Sequence, residues 1–199
     1  MGHPRDLGCE TTEFGVDEKA MKRVALTFLA SLCALTACGV AEPAATRGAA
    51  ALGDRLSTMD EVVDWMRDVA GDCSDVTAQE PDALRGFIGP ENAARFEPYI
   101  AEWATCSVSN EFPRVGLVLF TGDGQRKFQK SWHDAITAGE VADGPSFAFG
   151  NGFAVSAGAL GVSRLGLYWF LCDYTDTKVH RIPADEQGCV FANSEHGHG

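Results

Sequence analysis

The strongest chemistry in this 199-residue chain belongs to seven cysteines: Cys9, Cys33, Cys38, Cys73, Cys106, Cys172 and Cys189. A thiol serves as nucleophile, acyl acceptor, metal ligand or half of a disulfide, and its neighbours decide which. Ala37 and Gly39 are small and leave the sulfur of Cys38 open to an acyl-transferring enzyme. Among Cys73, Cys106, Cys172 and Cys189 no pair has CxxC spacing, and no histidine stands three to five residues from any of them, which disfavours zinc. An even number in an exported chain favours disulfides. Three pairings are open. Cys73–Cys106 with Cys172–Cys189 is preferred, because each bridge then joins cysteines that are neighbours along the chain. In the loop-entropy model each bridge contributes at most about 3 to 4 kcal/mol.

The histidines and charge clusters promise less. His133 and Asp134 are adjacent on an expected helix, where neighbouring side chains diverge by about 100°, so neither orients the other as in a catalytic pair. Arg126, Lys127 and Lys130 read as a solvated helix face. The formal net charge is −12, and it stays near −11 when residues 1–37 are set aside. Nucleic acid and anionic lipid are poor partners for such a surface, since both demand clustered cations. Thr121-Gly122-Asp123-Gly124 lacks the Lys-Ser/Thr of a phosphate-binding loop, and Asp123 would repel phosphate, so it reads as a strand-to-helix turn. His196 and His198 sit on a glycine-rich end and read as a chain terminus. No GxSxG, HExxH or GxGxxG occurs after residue 37. No catalytic residue, metal or cofactor is therefore assigned.

A basic pair and an apolar run precede Cys38. Lys22 and Arg23 precede twelve uncharged residues, 24–35, and then the small residues around Cys38. That order is the n-region, h-region and cleavage site of an export signal. Twelve residues at 1.5 Å rise span about 18 Å, too short for a hydrocarbon core of about 30 Å. Leu35-Thr36-Ala37-Cys38 resembles the lipobox of bacterial lipoproteins. The resemblance implies a diacylglycerol on Cys38, cleavage before it, and a chain held at the cell membrane on the extracytoplasmic face. An ordinary secretory signal, with Cys38 incidental, would make the protein secreted instead. Residues 1–20 carry five acidic residues ahead of a region that should be basic, so translation is expected to start at Met21. Residues 21–37 are then the signal peptide, 38–54 the lipidated cysteine with an Ala/Gly/Pro tether, and 55–199 one folded domain.

Within that domain, Thr58 and Glu61 have capping-box spacing, Met59, Val62, Val63, Met66 and Ala70 share a face, and Gly71 can end the helix, which predicts a helix over 58–70. Residues 74–104 are broken by Pro and Gly and read as irregular with short helices. Residues 106–108 and 115–120 predict an antiparallel hairpin. A second amphipathic helix is expected over 124–138 with Phe128, Trp132, Ala135 and Ile136 inward. Phe147, Phe149, Phe153 and Val155 alternate with small residues, which predicts one aromatic face and one nearly bare one. The central Gly150-Asn151-Gly152 leaves open one bulged strand or a tight hairpin. Residues 156–163 read as a short helix or turn, 167–171 as a strand, and 173–188 as a loop closed by the second disulfide. The expected fold is α+β: a small antiparallel sheet with two or more amphipathic helices packed on it, stapled by disulfides.

Over residues 57–157 the order helix–Cys73, Cys106–strand–strand–helix and aromatic strand with Gly-Asn resembles small actinobacterial envelope lipoproteins of unassigned function. That resemblance implies a Cys73–Cys106 bridge and a closing amphipathic helix, and the chain departs from the pattern after Ser156. The expected function is a non-enzymatic envelope module that binds a protein or small ligand. The alternatives are a small envelope hydrolase, using carboxylates or His133 in a cleft, and an inhibitor of a secreted enzyme, presenting residues 173–188.

Overall fold

The computed structural model describes residues 48–156 and 160–194. Cys38, the export segment, His196 and His198 lie outside them. Among the described residues four α-helices accompany eight strands, β1 (Ser74–Ala78), β2 (Ile100–Ser107), β3 (Val115–Phe120), β4 (Ala148–Phe149), β5 (Phe153–Val155), β6 (Tyr168–Cys172), β7 (His180–Pro183) and β8 (Cys189–Asn193), and all eight join one antiparallel sheet in the order β1-β2-β3-β5-β4-β6-β8-β7. Helix α1 (Met59–Ala70) carries the expected cap: Thr58 Oγ1 accepts from Glu61 N, and Glu61 Oε2 accepts from Thr58 N and Ser57 N. Gly71, at φ 82, ends it. It buries Val62, Val63 and Met66 on one face of the sheet. On the opposite face lie α2 (Pro81–Ile88), α3 (Pro90–Phe96) and α4 (Gly124–Thr137).

The sheet is therefore a middle layer, and β3 (Val115–Phe120) is buried along its whole length. Val115, Leu117 and Leu119 join the α1 side, while Val118 and Phe120 join the other. A strand covered on both faces reads as a continuous apolar run, as VGLVLF does. Its partner β2 (Ile100–Ser107) begins six residues before the expected strand, through a register shift between Ile100 and Glu102.

The expectations are met in class and corrected in detail. Residues 74–104 do hold two short helices, but they also contain β1 (Ser74–Ala78), paired antiparallel to β2. All five β1 residues are exposed, so no burial period marks them in the sequence. Residues 147–155 form two strands, β4 (Ala148–Phe149) and β5 (Phe153–Val155), rather than one aromatic face. The turn reverses the chain, so Phe147 and Phe149 face α4 whereas Phe153 and Val155 face α1. Both faces are buried, and neither is bare. Gly152, at φ 90, makes the reversal, and its position leaves no room for a Cβ against Leu56 O.

After a π turn at Leu160–Arg164, β6 (Tyr168–Cys172) pairs with β8 (Cys189–Asn193). The expected loop 173–188 contains β7 (His180–Pro183), which extends the sheet as its outer strand. Residues Gly48–Leu52, assigned by composition to the tether, form a 3-10 turn with Gly48 and Ala49 buried. Ala49 N donates to Asp185 Oδ2, which also accepts from Gln129 Nε2. Both preferred disulfides are present. Cys73–Cys106 pins the end of α1 to β2, and Cys172–Cys189 joins directly paired residues of β6 and β8.

Candidate functional site

The residues singled out for chemistry are dispersed by the fold. His133 is half-buried, with Nδ1 3.3 Å from Glu186 Oε1 on the turn before β8. Among the described residues no serine, threonine or thiol lies within hydrogen-bonding distance of its ring, so the pair has no nucleophile to activate. The basic cluster is neutralised locally. Asp123 Oδ2 is 3.0 Å from Lys127 Nζ and 3.5 Å from Arg126 Nη2, and Lys130 Nζ lies 2.9 Å from Asp134 Oδ2. The hydrogen bond from Lys127 holds the Asp123 carboxyl below its ordinary range, as the Asp134 carboxylate raises Lys130. Thr121–Gly124 is the turn into α4, with Gly124 N donating to Thr121 O. Among the described residues no three His, Cys, Asp or Glu side chains converge on a metal-sized position, and no helix is long and apolar enough to cross a membrane.

The sheet and helices instead open a cleft that single residues in the sequence did not announce. It lies where α2, α3 and α4 overhang the ends of three neighbouring strands, and it encloses about 440 Å³. That is within the range of small-molecule sites, roughly 300 to 1,000 Å³. Its floor is made by Phe96, Trp132 and Phe147, all buried, and its walls by the half-buried Phe87 and Ile88.

Local sequence explains each element of this cleft. Pro81 and Pro90 open α2 and α3 at a position where no backbone N–H is needed, and Gly89 at φ 83 allows the break between them. Arg85 forks onto Glu97 with bonds of 2.8 and 2.9 Å, tying α2 to the turn that leads into β2. Trp132 Nε1 donates to Asp143 O and so anchors the loop that forms the opposite rim. Gly144 in that loop passes against Phe170 O, and a Cβ there would overlap the carbonyl. Phe96 lies 4.7 Å from the Phe147 ring and 6.0 Å from that of Trp132, centroid to centroid, so the floor is one packed aromatic surface.

The polar rim is small and directional. Arg114, just before β3, places its guanidinium carbon 4.9 Å from the centre of the Phe87 ring. Ser156, just after β5, accepts from Gly116 N at 2.7 Å, and its own hydroxyl proton has no acceptor among the described residues. Asn92 spends one amide N–H on Ile88 O. Gly116 matters because Phe87 lies against it, with Cε1 2.7 Å from where a Cβ would stand. Of the eleven described residues around the cleft, Arg114 alone is charged. Sequence reasoning missed Arg114 and Ser156, since they are 42 positions apart and come together through β3–β5 pairing.

A second group was also missed. Gln125 and Gln129, four apart on α4, are fully enclosed. Gln125 donates to Gly150 O at 2.8 Å and accepts from Gly152 N at 2.7 Å, clamping the β4–β5 turn. Gln129 donates to Asp185 Oδ2 and accepts from Asp185 N, each at 2.8 Å. Their i,i+4 spacing on the helix was the available signal, but glutamine on an amphipathic helix ordinarily reads as exposed. The chain matches no protein-family model, no curated protein and no solved structure.

Proposed function

We propose that the chain is a membrane-anchored, extracytoplasmic binding module of the cell envelope, tethered by lipid on Cys38. The observation that carries the binding reading is the aromatic cleft, which has capacity for a ligand and one cationic side chain at its rim among the described residues. The two disulfides support the compartment, because such bonds persist where thiols are not kept reduced. The lipobox-like Leu35-Thr36-Ala37-Cys38 supports the anchor.

Two measurements test the two halves of this reading. Intact mass of the protein from the membrane fraction of its host is expected to match a chain beginning at Cys38 plus a diacylglycerol. An unlipidated species beginning elsewhere overturns the anchor. Melting temperature in the presence of small envelope components is expected to rise with a ligand that fills the cleft. A broad screen with no shift, combined with no cross-linked partner, overturns the binding module.

A further inference from the structure

We propose that the cleft takes a small organic acid, its carboxylate held by Arg114 and Ser156 and its apolar body laid on Phe87, Ile88 and Phe147. This rests on the reading of the chain as a binding module and specifies what that module binds. Charge is the first argument. The chain holds 28 acidic residues against 16 basic ones, yet among the described residues no carboxylate lines this cleft and a guanidinium does.

The state of that guanidinium is the second. Seven other cations among the described residues sit within 3.5 Å of a carboxylate. Arg114 reaches none among the described residues, a state it shares with Arg55, Lys178 and Arg181, and its contact is the face of Phe87. That contact places the cation at the cleft without giving its N–H fork an anionic acceptor, and the fork suits a carboxylate.

Hydrogen-bond capacity is the third. The indole N–H of Trp132 and one amide N–H of Asn92 are already spent on Asp143 O and Ile88 O. Among the described lining residues, unspent donors remain at Arg114, at the hydroxyls of Ser156 and Ser146 and at the second amide N–H of Asn92, and of these the backbone segments of Arg114 and Ser156 lie side by side where Ser156 N donates to Gly116 O at 2.9 Å. Two donors at one end of an aromatic trough call for an acceptor-rich head and a hydrocarbon tail. The depression beside α4 does not share this character, since its cations Lys127 and Lys130 already face Asp123 and Asp134.

The test uses the full chain, isotopically labelled and with disulfides intact, titrated with 4-phenylbutyrate, its neutral amide and the corresponding amine. The acid is expected to move the amide resonances of Gly116 and Phe147 and to bind about tenfold more tightly than the neutral amide, the worth of one charge-assisted hydrogen-bonded pair. Arg114→Gln is expected to remove that preference, bringing the acid and the neutral amide to similar affinity, with Arg114→Lys intermediate. Added salt should weaken the acid alone. Equal affinity for acid and amide, or an Arg114→Gln protein that still prefers the acid, overturns the charge assignment and leaves the binding reading standing. No movement of cleft resonances with any of the three overturns the organic-acid proposal, while the binding reading falls only with the broad screen and the cross-linking test.

Discussion

At the scale of single residues, the fold depends on a few polar side chains whose every bond is internal. Gln129 is fully buried and bonds the Asp185 backbone and carboxylate at once, so truncating it leaves donors and acceptors unmatched in a packed layer. Gln129→Ala is expected to destabilise the protein by about 3 kcal/mol, combining a cavity with lost hydrogen bonds, and urea denaturation is the measurement. Thr58→Ala removes an exposed cap and is expected to cost about 1 kcal/mol in the same assay. The cap also titrates. Hydrogen bonds from the backbone N–H groups of Ser57 and Thr58 hold the Glu61 carboxyl below its ordinary range. A lowered native pKa gives stability that is complete above the unfolded value, about 4.3, and is lost as pH falls through the native one. Glu61→Gln should therefore lose stability at neutral pH and show a shallower decline on acidification, read as denaturation midpoint against pH.

At the scale of elements, the β4–β5 hairpin is the joint of the sheet. It splits an aromatic run into Phe149 for one core and Phe153 for the other, because Phe149 pairs with Ala154, which shares its face, and Phe153, next to Ala154 along the strand, points to the opposite one. Gly152 carries this, with φ 90, Leu56 O where a Cβ would stand and Gln125 bonded to its N–H. Gly152→Ala is expected to cost more than about 2 kcal/mol, from the left-handed backbone and the overlap together. Loss of soluble protein, or a lowered melting temperature, would report it. The outer strand β1 shows the opposite economy. It is short, bulged between Ser74 and Thr77 and bent at Asp75, φ 53, features that discourage pairing with another chain.

At the scale of the whole molecule, two cores on opposite faces of one sheet are each stapled near a sheet margin. Cys73–Cys106 belongs to the α1 side, and Cys172–Cys189 secures the strands next to the far edge. Closing loops of 33 and 17 residues, the two bridges contribute about 3 to 4 kcal/mol each in the loop-entropy model. Reduction is expected to add four hydrogens to the intact mass of the described domain and lower its melting temperature. Replacing either cysteine pair by alanine should produce part of that fall. An unchanged melting temperature after complete reduction would mean that the two cores alone hold the sheet.

Local patterns in the sequence determined α1 with its cap, the apolar β3, α4, the preferred cysteine pairing and the α+β class. Each is written in neighbouring residues: Thr58 with Glu61, an unbroken VGLVLF, or Phe128 with Trp132 four positions on. Only the tertiary structure decided the edge strands, the hairpin at Gly152 and the cleft. β1 and β7 are partly or wholly exposed and carry no burial period, since an outer strand is defined by pairing rather than by composition. Phe147 and Phe153 look alike along the chain until the turn assigns them to different faces. Arg114 and Ser156 have no relation in sequence, and the pairing of β3 with β5 makes them neighbours at the rim of an aromatic surface. Sites of this kind depend on long-range contacts, and a linear pattern records only the residues a few positions apart that share a helix face or a strand.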